Sequence, residues 1–142
     1  MAAAADPHEL ARFVDAQQGV QEAALAELRA GRKRGHWMWF VFPQLVGLGQ
    51  SEMSRRYAIR SLEEARAYLA HPVLGPRLRE CVAAVLAAEG RTAEEIFGYP
   101  DVLKFRSSLT LFARAAPGEA VFRDALAKYY PAGPDRETLR LL

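Results

Sequence analysis

The chain has 142 residues, 51% of them apolar and 25% charged. That is the size and balance of one globular domain, able to close a core without disulfides or metal and too apolar to stay disordered. Its formal net charge is only +2, from 19 Lys and Arg against 17 Asp and Glu. Bulk charge therefore argues against a nucleic-acid partner, which would need a local basic patch.

Cys81 is the single cysteine, so no disulfide forms within the chain, as expected of a cytoplasmic protein. The start, MAAAADPHEL, has no charged region followed by a long apolar stretch and does not read as a secretory signal. The longest apolar run, Trp37 to Pro43, falls far short of the ~18–20 residues that span a bilayer, so no membrane is expected. His8, His36 and His71 stand apart, and no His or Cys pair has ligand spacing, so neither metal nor cofactor is expected.

Residues 1–5 read as a frayed tail before one domain spanning 6–142. Asp6 caps a first helix with Pro7 in its first turn and Glu9 reaching back to the cap amide; Leu10, Phe13 and Val14 form its apolar stripe, and Gly19 interrupts it. A second helix carries Ala24, Leu25 and Leu28 and stops at Gly31. Phe40-Val41-Phe42, closed by Pro43, is the one β-like fragment. Ser51 caps a short helix through Tyr57. Ser61 with Glu64 forms a capping box for a helix that buries Ala65, Tyr68 and Leu69 and stops at His71-Pro72, with His71 beside its last carbonyls. Pro72 opens the longest helix, with Leu74, Leu78, Cys81, Val82, Val85 and Leu86 inward and Gly90 at its end. Thr92 with Glu95 makes a second capping box, and Gly98 ends that helix. Pro100-Asp101, Glu119 and Asp135 open three more. The sum is an all-α, mainly helical, single compact domain of about seven orthogonally packed helices with short loops.

Four strings, RKRGHWMWFVFPQ, GLGQS, YAIRSLEEARAYLAHPVLGPRL and IFGYPDVLKFRSSLTLF, resemble the DUF1810 family over nearly the whole chain. That resemblance implies a mainly helical bacterial domain of unknown biochemical function, with no catalytic residues to carry across. Members usually have serine where this chain has Gly35, so no hydroxyl role transfers to that position.

Three constellations carry chemistry. Arg32, Lys33, Arg34 and His36 run into Trp37 and Trp39, so cations for a phosphate lie beside indoles for stacking, with an imidazole as acid or base. The same residues also suit a helix C-terminus followed by an aromatic core plug of Trp37, Trp39, Phe40 and Phe42. Gln44 and the loop Gly47 to Ser51 offer amides to an anion, or form a sharp reversal; they match neither a Walker loop nor a dinucleotide fingerprint. Asp101, Lys104 and Ser108 share a helix face with Ser107 beside it, the ingredients of a Ser–Lys nucleophile, of a phosphate cradle, or of a solvated face.

The leading reading is a small anionic ligand, phosphate- or nucleotide-like, held in a basic-aromatic cleft by Arg32, Arg34, His36, Trp37, Gln44, Ser51, Lys104 and Ser108. His36, Lys104, Ser107 and Ser108 are its candidates for catalysis. Nucleic-acid binding through residues 32–34 and 55–56, and a non-catalytic interaction module, stand as alternatives.

Overall fold

The computed structural model describes residues 5–142, so all but Ala5 of the expected N-terminal tail lies outside the described residues. Among those residues there are ten helices: α1 (Ala11–Gln17), α2 (Gln21–Arg29), α3 (Met38–Val41), α4 (Glu52–Arg56), α5 (Leu62–Ala70), α6 (Leu74–Ala87), α7 (Ala93–Phe97), α8 (Asp101–Ala115), α9 (Ala120–Tyr129) and α10 (Arg136–Leu141). The fold is all-α, as expected. The count exceeds seven because α3, α4 and α7 are helices of only four or five residues. None is long and apolar enough to cross a membrane.

Side-chain caps at the N-cap position open four of the ten helices. Ser51, Ser61, Thr92 and Asp135 each accept the amide three residues ahead, and Thr92 with Glu95 completes a reciprocal capping box. At Ser61 only half of the expected box forms, because Glu64 turns away to meet two arginines. Asp6 does act as a cap, but its carboxylate takes the amides of Leu10 and Ala11, so α1 begins a turn later than Pro7 implies. Glu9, at φ 53°, aims at Arg60 instead of the cap amide. His71 serves the helix ahead of it: its Nδ1 accepts from Val73 and Leu74, so α6 starts at Leu74 rather than at Pro72.

The β-like reading of Phe40-Val41-Phe42 is wrong. Phe40 and Val41 are helical in α3, and extended pairing appears just after Pro43, where Leu45 bridges Ile59. Three apolar residues at successive positions satisfy no alternation; they are buried in every direction instead, with Phe40 7%, Val41 2% and Phe42 1% exposed.

Helix α8 is the centre, packing on α5, α7, α9 and α10. Its residues from Ser107 to Phe112 are buried without a break, so it has no solvated face over that stretch. The Ser107 and Thr110 hydroxyls are satisfied locally, each donating to the carbonyl one turn back. Two aromatic chains run through the core. One joins Phe42, Phe97 and Phe105, with Phe97 stacked on Phe105 at 4.5 Å; the other runs from Phe13 through Tyr68 and Phe112 to Phe122. Each such ring contributes about 1.5–3 kcal/mol by burial, and each pair about 0.5–1.5 more.

One cation ties the N-terminal third together. The Arg12 guanidinium donates to the carbonyls of His8, Glu9, Arg56 and Ala58 and to Glu64, whose side chain is 1% exposed. Removing one partner of a buried pair strands the other, whereas an exposed pair contributes little. Arg12→Ala is therefore expected to lower unfolding free energy by about 3 kcal/mol, and Arg60→Ala, which removes the exposed partner of Glu64, by less than about 1 kcal/mol. Urea denaturation checks this; equal losses would show that burial of the pair is not what matters.

Candidate functional site

The segment after α2 is shaped by the end of that helix. Gly31 adopts φ 75°, and its N–H donates to Leu28 while that of Arg32 donates to Glu27, the paired bonds of a Schellman turn. Lys33 then donates its amide to Ile96 at 2.7 Å, fixing the start of the segment that follows against α7. Within it the exposure alternates. Arg32, Arg34 and His36 face out; Lys33, Gly35 and Trp37 face in.

The Glu27 carboxylate holds this conformation. Its Oε1 accepts from the Arg34 amide at 2.7 Å, the Gly35 amide at 2.8 Å and the Trp37 indole at 3.0 Å. Burial pushes its pKa up, but the Gly35 and Arg34 amides, the indole and the nearby Lys33 charge outweigh burial and hold the carboxyl below the usual glutamate range. The indole packs closely on Gly35: a Cβ there would sit 2.7 Å from Trp37 Cδ1, so a serine at this position needs the indole to shift.

The two outward arginines meet a third. Arg91, from the turn between α6 and α7, lies over Gly31, and Arg32, Arg34 and Arg91 line an open cleft of about 410 Å³ together with Ala26, Ala30 and Glu27. Among the described residues none of the three forms an ion pair. Lys33, the middle of the basic run, is absent from the cleft. Its ammonium is buried on Asp101 at 2.8 Å, bonds the Gly35 carbonyl and lies over the Trp37 ring.

The other expected site residues lie elsewhere. Gln44, Lys104 and Ser107 do come together, around a separate cleft of about 310 Å³ that also includes Asp135 and Glu137. Lys104 sits 3.5 Å from Asp101 and over the Trp39 ring. Because the Ser107 hydroxyl donates to Leu103, no Ser–Lys bond forms: the serine proton rests on a carbonyl and the ammonium beside a carboxylate. Ser108 is 2% exposed, inside the core. Ser51 caps α4 and bonds Ser54, which lines the Gln44 cleft. His36 is exposed and lines neither cleft. Trp37, 2% exposed with its N–H engaged, presents no face for stacking.

Burial pushes the Cys81 thiol up to about 11, which leaves it no thiolate character near neutrality. Arg91 and Glu27 escaped the sequence reading. Each is an ordinary charged residue: Arg91 meets neighbours far along the chain, and Glu27 accepts from two backbone amides and an indole in the segment after its helix.

Comparison with known proteins agrees with this fold. No curated protein matches the chain. The crystal structure of the conserved hypothetical protein Rv1873 from Mycobacterium tuberculosis is similar, at 60% identity and a TM-score of 0.95, over 96% of this chain and 98% of that one. The family described as "Protein of unknown function (DUF1810)" matches residues 7–142. With nearly its whole length matched, the chain belongs to the DUF1810 family.

Proposed function

We propose that the chain binds a small phosphate-bearing anion in the cleft formed by Arg32, Arg34 and Arg91. The carrying observation is that Arg32, Arg34 and Arg91, from two separate segments, line one concavity and form no ion pair among the described residues. The carboxylate beside them, Glu27, is taken by the Arg34 and Gly35 amides and the Trp37 indole. Like charges held together repel, and a multivalent oxyanion relieves that repulsion while accepting the planar N–H forks that arginine presents. The small side chains of Ala26 and Ala30 leave the anion room to approach. Trp37 takes no part in contact, so recognition rests on charge and hydrogen bonds instead of base stacking.

The Gln44–Lys104 cleft supports this reading less well, since Asp101, Asp135 and Glu137 surround its one cation. Nucleic-acid binding is weakened by the inward turn of Lys33, which breaks the basic run into separated charges. Arg55 and Arg56 line a different depression, together with Glu9.

Calorimetric titration with inorganic pyrophosphate at low ionic strength is expected to show one saturable site that weakens toward 0.15 M salt. A hydrogen bond to a charged group contributes about 1.5–3 kcal/mol, so Arg91→Ala or Arg34→Ala should each lower affinity about tenfold or more. Arg29→Ala should not. Equal affinity in all three variants would remove the site.

The Glu27 carboxylate gives a pH signature. Its folded pKa is depressed, so its stabilisation is present above the unfolded value and is lost as pH falls through the folded one. Glu27→Gln is expected to cost about 1–2 kcal/mol at pH 7, since an amide oxygen replaces a charge-assisted acceptor. The gap between the parent and Glu27→Gln should close toward pH 3, measured by urea denaturation. A gap independent of pH would show that the carboxylate charge is not what holds the loop.

A further inference from the structure

The geometry points to a second binding site, for an amphipathic carboxylate, in the groove between α8, α9 and α10. This groove encloses about 540 Å³, the size range of small-molecule sites. Ala113 of α8, Leu126 of α9, Leu139 of α10 and Pro117 of the α8–α9 turn give it apolar walls. Their spacing makes the surface continuous: 110, 113 and 114 share one face of α8, and 123 and 126 share one face of α9. The Thr110 hydroxyl at its side is already spent, donating to Arg106 and accepting from Asp135, so it adds no polar demand.

Two charges stand at this apolar surface, Arg114 and Arg123, and both are cations. Among the described residues neither is ion-paired, although Glu119, one turn before Arg123, is a carboxylate; Glu119 is held instead by Arg79 in a two-pronged pair. No Asp or Glu lines the groove. An apolar trough flanked only by unpaired guanidiniums is complementary to a molecule with a hydrocarbon body and a carboxylate head. The body displaces water from the leucine and proline walls, and the head accepts from arginine. A neutral apolar molecule leaves both arginines without that partner, and a cationic one meets repulsion.

This site is independent of the arginine cleft near Gly31, with which it shares no residue. Calorimetry with decanoate and with 1-decanol tests it on the intact chain. Decanoate should bind with one-to-one stoichiometry and at least tenfold more tightly than decanol. The double variant Arg114→Ala/Arg123→Ala should abolish that preference. Leu139→Asp, at a position already 36% exposed, should abolish binding with an unchanged circular dichroism spectrum. Pyrophosphate should not displace decanoate.

Equal binding of the acid and the alcohol would overturn the assignment, as would full affinity in the double-arginine variant or competition by pyrophosphate. A groove covered by a second copy would give a dimer in sedimentation that Leu139→Asp disperses, with no heat from decanoate, and that result also overturns it. The arginine variant keeps the test decisive if Leu139→Asp fails to fold.

Discussion

One carboxylate oxygen, Oε1 of Glu27, organises the segment on which the functional account rests. It gathers two consecutive amides and an indole N–H, and so fixes the chain from Arg34 to Trp37 as a bend at Gly35 and His36 held against α2. Side chains along this segment alternate between the core and the surface. Trp37 is thereby driven into the core, and Lys33 follows it inward to Asp101, while Arg32 and Arg34 are left outside. A basic run of three residues becomes a structural cation flanked by two free ones. Replacing Glu27 by any side chain without a charged acceptor leaves three donors competing for one weaker partner or for water.

Polar groups inside the rest of the core follow the same rule of complete pairing. Glu64 is tolerated at 1% exposure because Arg12 and Arg60 both reach it. Gln17, 2% exposed, donates to the Phe40 carbonyl and the Tyr68 hydroxyl and accepts from Arg77. Burial pushes the Tyr68 phenol up, so it remains neutral and accepts from Gln17 within that network. The Trp39 indole N–H and the Gln21 amide oxygen are buried without a partner. Since an unpaired buried polar atom costs about 1–3 kcal/mol, the aromatic contacts around α8 offset these two exceptions.

The elements were readable in the sequence wherever one residue type acts over three or four positions. Ser51, Thr92 and Asp135 cap because a short side-chain oxygen reaches only its own helix, and Gly31 ends α2 because a left-handed residue is needed there. The inward faces of α5 and α6 follow from helical spacing alone. Reading failed where the partner is remote. Arg12 contacts residues 44 to 52 positions away, and Arg91 meets Arg32 and Arg34 only through the packing of α7 on the rest. The candidate site was half visible for the same reason: residue types and the Gln44–Lys104–Ser107 meeting were legible, but not the separation of that cleft from Arg32 and Arg34. His71 shows that even a local residue can serve either neighbouring helix when it stands between two.

The central claim is that three particular arginines act as one receptor for a phosphate-bearing anion. Following the Nε–Hε resonances of all arginines by heteronuclear NMR during pyrophosphate titration tests this most directly. The account predicts that Arg32, Arg34 and Arg91 shift together along one saturating curve, while Arg55, Arg56 and Arg140 stay near their starting positions. Shifts of similar size spread over every exposed arginine would mean that the anion samples the surface by charge alone, and the claim would be wrong.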